Sequence, residues 1–108
     1  MLERRERLKL EDGRELRLLS ALEVLEARRE AEGLARAPKE HALCSNACLL
    51  ARALESGEKP VFDSGRAVLA GLTVSEIAAL SRTWSQFNRE ENPALTMEQE
   101  EAEELKKN

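Results

Sequence analysis

The side chains best suited to bind a metal or to act in catalysis lie close together in the middle of the chain. His41, Cys44 and Cys48 are three and four residues apart, so on a helix all three would share one face. A neutral imidazole and two thiolates are ligands that suit zinc. A closed zinc site takes four ligands, however, and the sequence contains no further histidine or cysteine. Because cysteine is among the residue types most often buried, we predict that both cysteines pack in the core and that no metal is bound.

A catalytic interpretation has less support from the same residues. A cysteine–histidine nucleophile needs a third group that orients the histidine, and an oxyanion-binding loop, and the sequence shows neither. The carboxylates cluster around a predicted exposed hairpin and in the last segment, where little would bury them and shift their pKa toward catalysis. We therefore predict that the chain is not an enzyme and uses no catalytic residue and no cofactor.

The distribution of charge argues against a general nucleic-acid binder. The chain of 108 residues has a formal net charge of −4, whereas nucleic-acid-binding domains are usually basic. Residues 1–9 carry a net +2 (four positive and two negative side chains), and residues 96–108 carry a net −3 (five negative and two positive). These two ends could attract each other or a partner, and we do not expect nucleic acid among the partners.

Two groups of apolar side chains could serve as partner-binding surfaces. Trp84 and Phe87, two of the three aromatic residues, lie three residues apart near the end of a predicted helix. They could pack in the core, or they could face a partner, because aromatic side chains anchor many protein interfaces. The second group consists of the leucines of a predicted hairpin: Leu8, Leu10, Leu16 and Leu18.

The hairpin is predicted over residues 5–19, around the turn signal Asp12-Gly13. Leucines alternate with charged residues on both sides of this turn. A two-residue loop would place the leucines of the two strands on opposite faces. A three-residue loop with Gly13 in the bulge position aligns all four leucines on one face, and that face must then pack on helices.

Capping residues and apolar periodicity predict four helices, at about residues 20–33, 39–55, 64–71 and 73–91. Two of them begin with capping boxes, which are Ser20 with Glu23 and Thr73 with Glu76. The apolar stripe of the first helix is predicted to contain Ala21, Leu22, Leu25 and Ala31. Residues 60–62 could form a third strand beside the hairpin.

These elements predict an α+β fold that is mainly α, with an N-terminal hairpin packed on a bundle of about four helices. We predict that residues 1–95 form one compact domain and that residues 96–108 form an acidic tail that is flexible or helical. No apolar run approaches the roughly 20 residues that a membrane span needs. Two cysteines four residues apart do not make a disulfide framework, so we expect a cytoplasmic protein.

The order of these features resembles the small tail assembly chaperones of long-tailed bacteriophages and prophages. The resemblance covers about residues 5–93, and its most suggestive part runs from Leu72-Thr73-Val74-Ser75-Glu76-Ile77 through Leu80, Trp84 and Phe87-Asn88 to the acidic tail. It implies a non-enzymatic, mostly helical protein of the bacterial cytoplasm that binds the tape measure protein and tail tube subunits. It also implies a longer form made by a ribosomal frameshift, with Lys106-Lys107 near the slippery site.

Shielding another protein's apolar helices requires a reversible apolar surface. We expect this surface among Trp84, Phe87 and the four hairpin leucines, which could equally mediate homo-oligomerisation. The alternative function is a small regulatory or DNA-associated interaction module of phage or bacterial origin.

Overall fold

The computed structural model describes residues 6–91. It contains four helices and one antiparallel sheet, and it confirms the predicted mainly helical α+β class with an N-terminal hairpin. The sheet has the strand order β1-β2-β3-β4. In chain order the elements are β1 (Arg7–Lys9), β2 (Glu15–Arg17), α1 (Ala21–Leu34), α2 (His41–Ala53), β3 (Leu54–Ser56), β4 (Lys59–Pro60), α3 (Gly65–Gly71) and α4 (Val74–Glu91), and a single 3-10 turn (Pro38–Glu40) precedes α2. The predicted tail at residues 96–108 lies outside the described residues.

The hairpin β1–β2 forms with the predicted three-residue loop. The Leu10 N–H donates to the Arg14 carbonyl at 2.8 Å, and the Gly13 N–H donates to the Leu10 carbonyl at 3.1 Å. Gly13 has a φ of 92°, a left-handed conformation that glycine adopts without the clash of a Cβ atom. Leu8 pairs with Leu16 across the strands. Since side chains alternate along a strand, all four leucines share one face, as predicted.

The third strand differs from the prediction. It is β3, which pairs Leu54 with Leu16 and Glu55 with Glu15, and not residues 60–62. The predicted helix 39–55 therefore ends two residues early, at Ala53. Leu54 continues the apolar periodicity of α2, but in the extended conformation its side chain is fully buried beside Leu16. This non-local pairing prevails over the local helical pattern.

Polar side chains fix where the other helices begin. The Ser20 hydroxyl accepts from the Glu23 N–H at 3.1 Å, and the Glu23 carboxylate accepts from the Ser20 N–H at 3.0 Å. Thr73 and Glu76 form the same reciprocal pair at the start of α4. Such boxes satisfy backbone donors that the first helical turn leaves free. Both predicted capping boxes are thus confirmed.

Helix α2 lies at the centre of the molecule, in contact with α1, α3, α4 and the sheet. Six of its thirteen residues are buried, and most of these are alanine and cysteine. Small side chains let neighbouring helices approach closely, which suits a core with few aromatic residues. Within residues 6–91, no helix has both the length and the apolar character needed to cross a membrane.

Candidate functional site

Trp84 and Phe87 are core residues, the first of the two alternatives that the sequence left open, which corrects the expectation that they belong to a partner-binding surface. Phe87 is only 2% exposed and Trp84 8%. The Trp84 indole Nε1–H donates to the Arg17 carbonyl oxygen at 2.9 Å, across 67 residues of sequence. This bond joins α4 to strand β2, so the polar atom of the ring is used for internal structure. The two aromatic rings therefore hold the fold together and leave no free patch.

The hairpin leucines pack on the helices, as their shared face predicts, so they do not form the open apolar strip that we expected as a partner surface. Leu16 is fully buried and Leu18 is 8% exposed. Leu8 and Leu10 are partly buried and pack against the same core. The reason is geometric, because the register that aligns the leucines on one face also directs that face onto the helices. The predicted binding surface is thus an inner surface of the domain.

The three residues with metal-like spacing differ in burial, with the two cysteines in the core and the histidine at the surface. Cys44 and Cys48 are buried and unbridged, as predicted, and pack against Ala27 and Ala31 of α1. His41 lies exposed at the first position of α2. Among the described residues there is no group of three or more histidine, cysteine, aspartate or glutamate side chains that could hold a metal ion.

Cys48 belongs to a polar junction between three helices. Burial raises the pKa of its thiol to about 12, and the nearby Glu30 carboxylate adds to this effect. Glu30 accepts from Arg52 Nη1 at 2.8 Å and from the Gly65 N–H at 2.7 Å. Burial of Glu30 opposes its ionisation, but these hydrogen bonds prevail and its pKa lies below the usual value. The junction ties α1, α2 and α3 together.

A second charged cluster covers the outer face of the sheet. Glu55 is 7% exposed and accepts hydrogen bonds from Arg7 and from Arg17, the latter at 3.2 Å. Arg17 also binds both carboxylate oxygens of Glu23. This series of ion pairs therefore connects β1, β3, β2 and the first turn of α1. Every member of this series has an internal partner, which identifies it as a structural clamp.

Among the described residues, four large apolar side chains are exposed, namely Leu22, Leu25, Val61 and Val74. Two of them, Leu22 and Leu25, lie together on α1. Leu22 is 59% exposed and Leu25 46%. The predicted stripe of α1 is correct for Ala31 and wrong for the two leucines, because the buried face consists of Ala27 and Ala31, which are fully buried. At 100° per residue, the two leucines lie on the opposite side of the helix from these alanines. We call Leu22 and Leu25 the leucine pair.

This inversion of α1 has a steric cause. The alanine face meets the small side chains of α2, and two such faces allow close packing that leucines would prevent. Leucine is the more hydrophobic residue, so hydrophobicity alone assigned the wrong face to the core. The available signal was the complementary small residues of α2, Cys44 and Cys48, which favour an alanine partner.

A polar groove between α2 and α4 is the second surface that sequence reasoning missed. Its volume is about 560 Å³, and its lining includes Asn46 from α2 and Ser81, Arg82, Ser85 and Arg89 from α4. The two arginines are seven residues apart, which places them on one side of the helix two turns apart. That spacing was the signal present in the sequence.

Comparison of the chain with family models, with curated proteins and with solved structures gives no match.

Proposed function

We propose that this chain is a non-enzymatic protein-binding module that acts as a tail assembly chaperone in the cytoplasm of a phage-infected or lysogenic bacterium. Its partners would be the tape measure protein and tail tube subunits. The proposal rests on the resemblance around residues 72–88 and on one structural observation, the exposed leucine pair of α1.

The leucine pair has the form of a docking site for another helix. Its members are three residues apart, the spacing at which side chains of one helix meet the same partner. Glu26 and Arg29 beside them are exposed and charged. The apolar area is therefore small, and binding of a partner to it is readily reversible. About half of each leucine side chain remains to be buried. Burying that remainder contributes about 1.5–3 kcal/mol in total, or about 10- to 150-fold in Kd.

Chaperone binding of this kind requires that the surface be independent of the core. The two leucines point away from the alanine face that holds α1 on α2, so both can contact a partner without unfolding the domain. A tape measure protein presents long apolar helices before it is assembled, and an amphipathic helix with a small leucine patch can cover such a helix in transient contacts.

The first test is a pull-down with the tagged full chain from host cells in which the prophage has been induced, with mass spectrometry of the captured proteins. The proposal expects a tape measure protein or a tail tube subunit that is recovered with the native chain and lost with Leu22→Gln/Leu25→Gln. Glutamine keeps the helical propensity of these positions. Capture of nucleic acid, with binding that weakens steeply as salt rises, would contradict the proposal.

A further inference from the structure

The groove between α2 and α4 has a positively charged, polar lining. Its lining contains two arginines and several hydroxyl and amide groups, and no acidic side chain among the described residues lines it. Arginine guanidinium groups suit carboxylates, which can accept two parallel hydrogen bonds. The groove is separate from the leucine pair, so the inference does not depend on the proposed function.

Within residues 6–91 the two arginines of this groove are unused, whereas the Gln86 amide in its lining donates to Glu90 at 3.3 Å. Neither Arg82 nor Arg89 makes an ion pair or a side-chain hydrogen bond with a described residue. The arginines on the hairpin, by contrast, pair with Asp12, Glu23 or Glu55. The Ser81 hydroxyl, also in the lining, is buried and lacks a partner in the described part of the chain. A buried hydroxyl without a partner carries a desolvation cost that a bound acceptor would remove.

The sequence supplies a ligand of matching chemistry close to this groove. Five glutamates follow α4 within seven positions: Glu98, Glu100, Glu101, Glu103 and Glu104. We call residues 98–104 the acidic segment. We propose that the acidic segment of the same chain binds in the groove through its carboxylates, with Arg82 and Arg89 as the principal contacts.

The length of the chain permits this contact. Residues 92–97 separate the last described residue of α4 from the acidic segment, and each residue can span up to about 3.3–3.6 Å. Arg82 lies nine residues before Glu91, about 13.5 Å back along the helix. The connection is therefore longer than the distance it has to cover.

Linkage on one chain compensates for the weakness of exposed ion pairs. Such pairs are individually weak and are screened by salt. A short connection, however, raises the effective concentration of the acidic segment near the groove to the millimolar range. Binding of the acidic segment should therefore be readily reversible and sensitive to salt.

The test is nuclear magnetic resonance of the full chain, native and with all five glutamates of the acidic segment replaced by glutamine. The proposal expects the Nε–H signals of Arg82 and Arg89, and the amide signals of Ser81 and Ser85, to shift in the variant. About 0.5 M salt should shift the native signals in the same direction through screening and leave those of the variant nearly unchanged. The Trp84 indole signal, on the core side of α4, should stay in place throughout.

A matched control replaces two exposed acids of α1, Glu26→Gln and Glu32→Gln, which should leave the signals of the groove unchanged. Signals of the groove that are identical in the native chain and the five-glutamine variant would overturn the proposal, as would shifts confined to the hairpin. Dilution distinguishes binding of the acidic segment of the same chain from binding of the acidic segment of a second copy. Shifts that persist on dilution support binding within one chain, whereas shifts that vanish would assign the contact to a second copy and refute it.

Discussion

Replacement of Trp84 tests most sharply whether the aromatic end of α4 is core or interface. The ring is 8% exposed, and its Nε1–H donates to the Arg17 carbonyl at 2.9 Å. Trp84→Phe keeps an aromatic ring but removes this donor, and leaves a part-buried carbonyl without its partner. We expect a loss of about 1 kcal/mol in the free energy of unfolding, or about 4–8 °C in Tm for a domain of this size.

Truncation to alanine should have a larger effect. Trp84→Ala removes the whole ring from between α4 and the sheet, a change that costs about 3–5 kcal/mol in protein cores. Since domains are stable by about 5–15 kcal/mol, this variant loses a large part of its stability. Leu22→Ala is the matched control, because Leu22 is 59% exposed and truncation there should change stability by no more than about 0.5 kcal/mol.

The assay is urea unfolding followed by far-ultraviolet circular dichroism, because Trp84 is the only tryptophan and its fluorescence disappears in the variants. The expected order of stability is native, Leu22→Ala, Trp84→Phe and Trp84→Ala. A Trp84→Ala variant that loses less than about 1 kcal/mol would refute the reasoning. The ring would then contribute little to the core, and the original prediction of a partner-facing patch would return.

Three further predictions concern the junctions between elements. In Gly65→Ala the new Cβ would overlap Cys48 Sγ and lie 3.2 Å from Cys48 Cα, so we expect a loss of about 1–3 kcal/mol. A Cβ atom at Gly33 on α1 would meet open space, so Gly33→Ala should instead stabilise the protein by about 0.5–1 kcal/mol. Equal changes in the free energy of unfolding for the two glycine variants, measured in urea, would contradict this prediction. The Arg17 guanidinium lowers the pKa of Glu23 from 4.5 to about 2, so the stability that this carboxylate contributes is complete above pH 4.5 and is lost as the pH falls toward 2. The stability of Glu23→Gln should therefore fall less than that of the native chain between pH 4.5 and pH 2. The same dependence of stability on pH in both proteins would refute the contribution of Glu23. The thiol of Cys48, with a pKa raised to about 12, should react with iodoacetamide at pH 8 only as fast as the chain opens; mass spectrometry that finds rapid labelling of the folded protein would refute its burial.

The local elements of this fold could be predicted because short-range chemistry determines them. Asp12-Gly13 specifies the loop of the hairpin, and the loop length sets the register that puts the leucines on one face. The capping boxes at Ser20 and Thr73 likewise depend on residues three positions apart. In each case the interacting groups are neighbours in sequence, so the pattern itself contains the information.

The remaining structure depends on contacts between distant residues. Leu54 continues a helical pattern, yet it pairs with Leu16 in the sheet, a choice that requires knowledge of where both elements lie. The orientation of α1 depends in the same way on the small residues of α2. For the candidate site, apolar periodicity placed the leucine pair in the buried stripe of α1, whereas the structure leaves both side chains exposed.

The central claim, that α1 docks an apolar helix of a tail protein, is tested most directly by the affinity of the full chain for a purified helical segment of the tape measure protein. We predict that Leu22→Gln/Leu25→Gln raises the Kd about 10- to 150-fold without a change in the urea unfolding midpoint. Val74→Gln serves as the control, since Val74 is an apolar side chain on another helix that is even more exposed than the two leucines, and the Kd of this variant should equal that of the native chain. An unchanged Kd in the leucine variant, or no binding by the native chain, would contradict the claim.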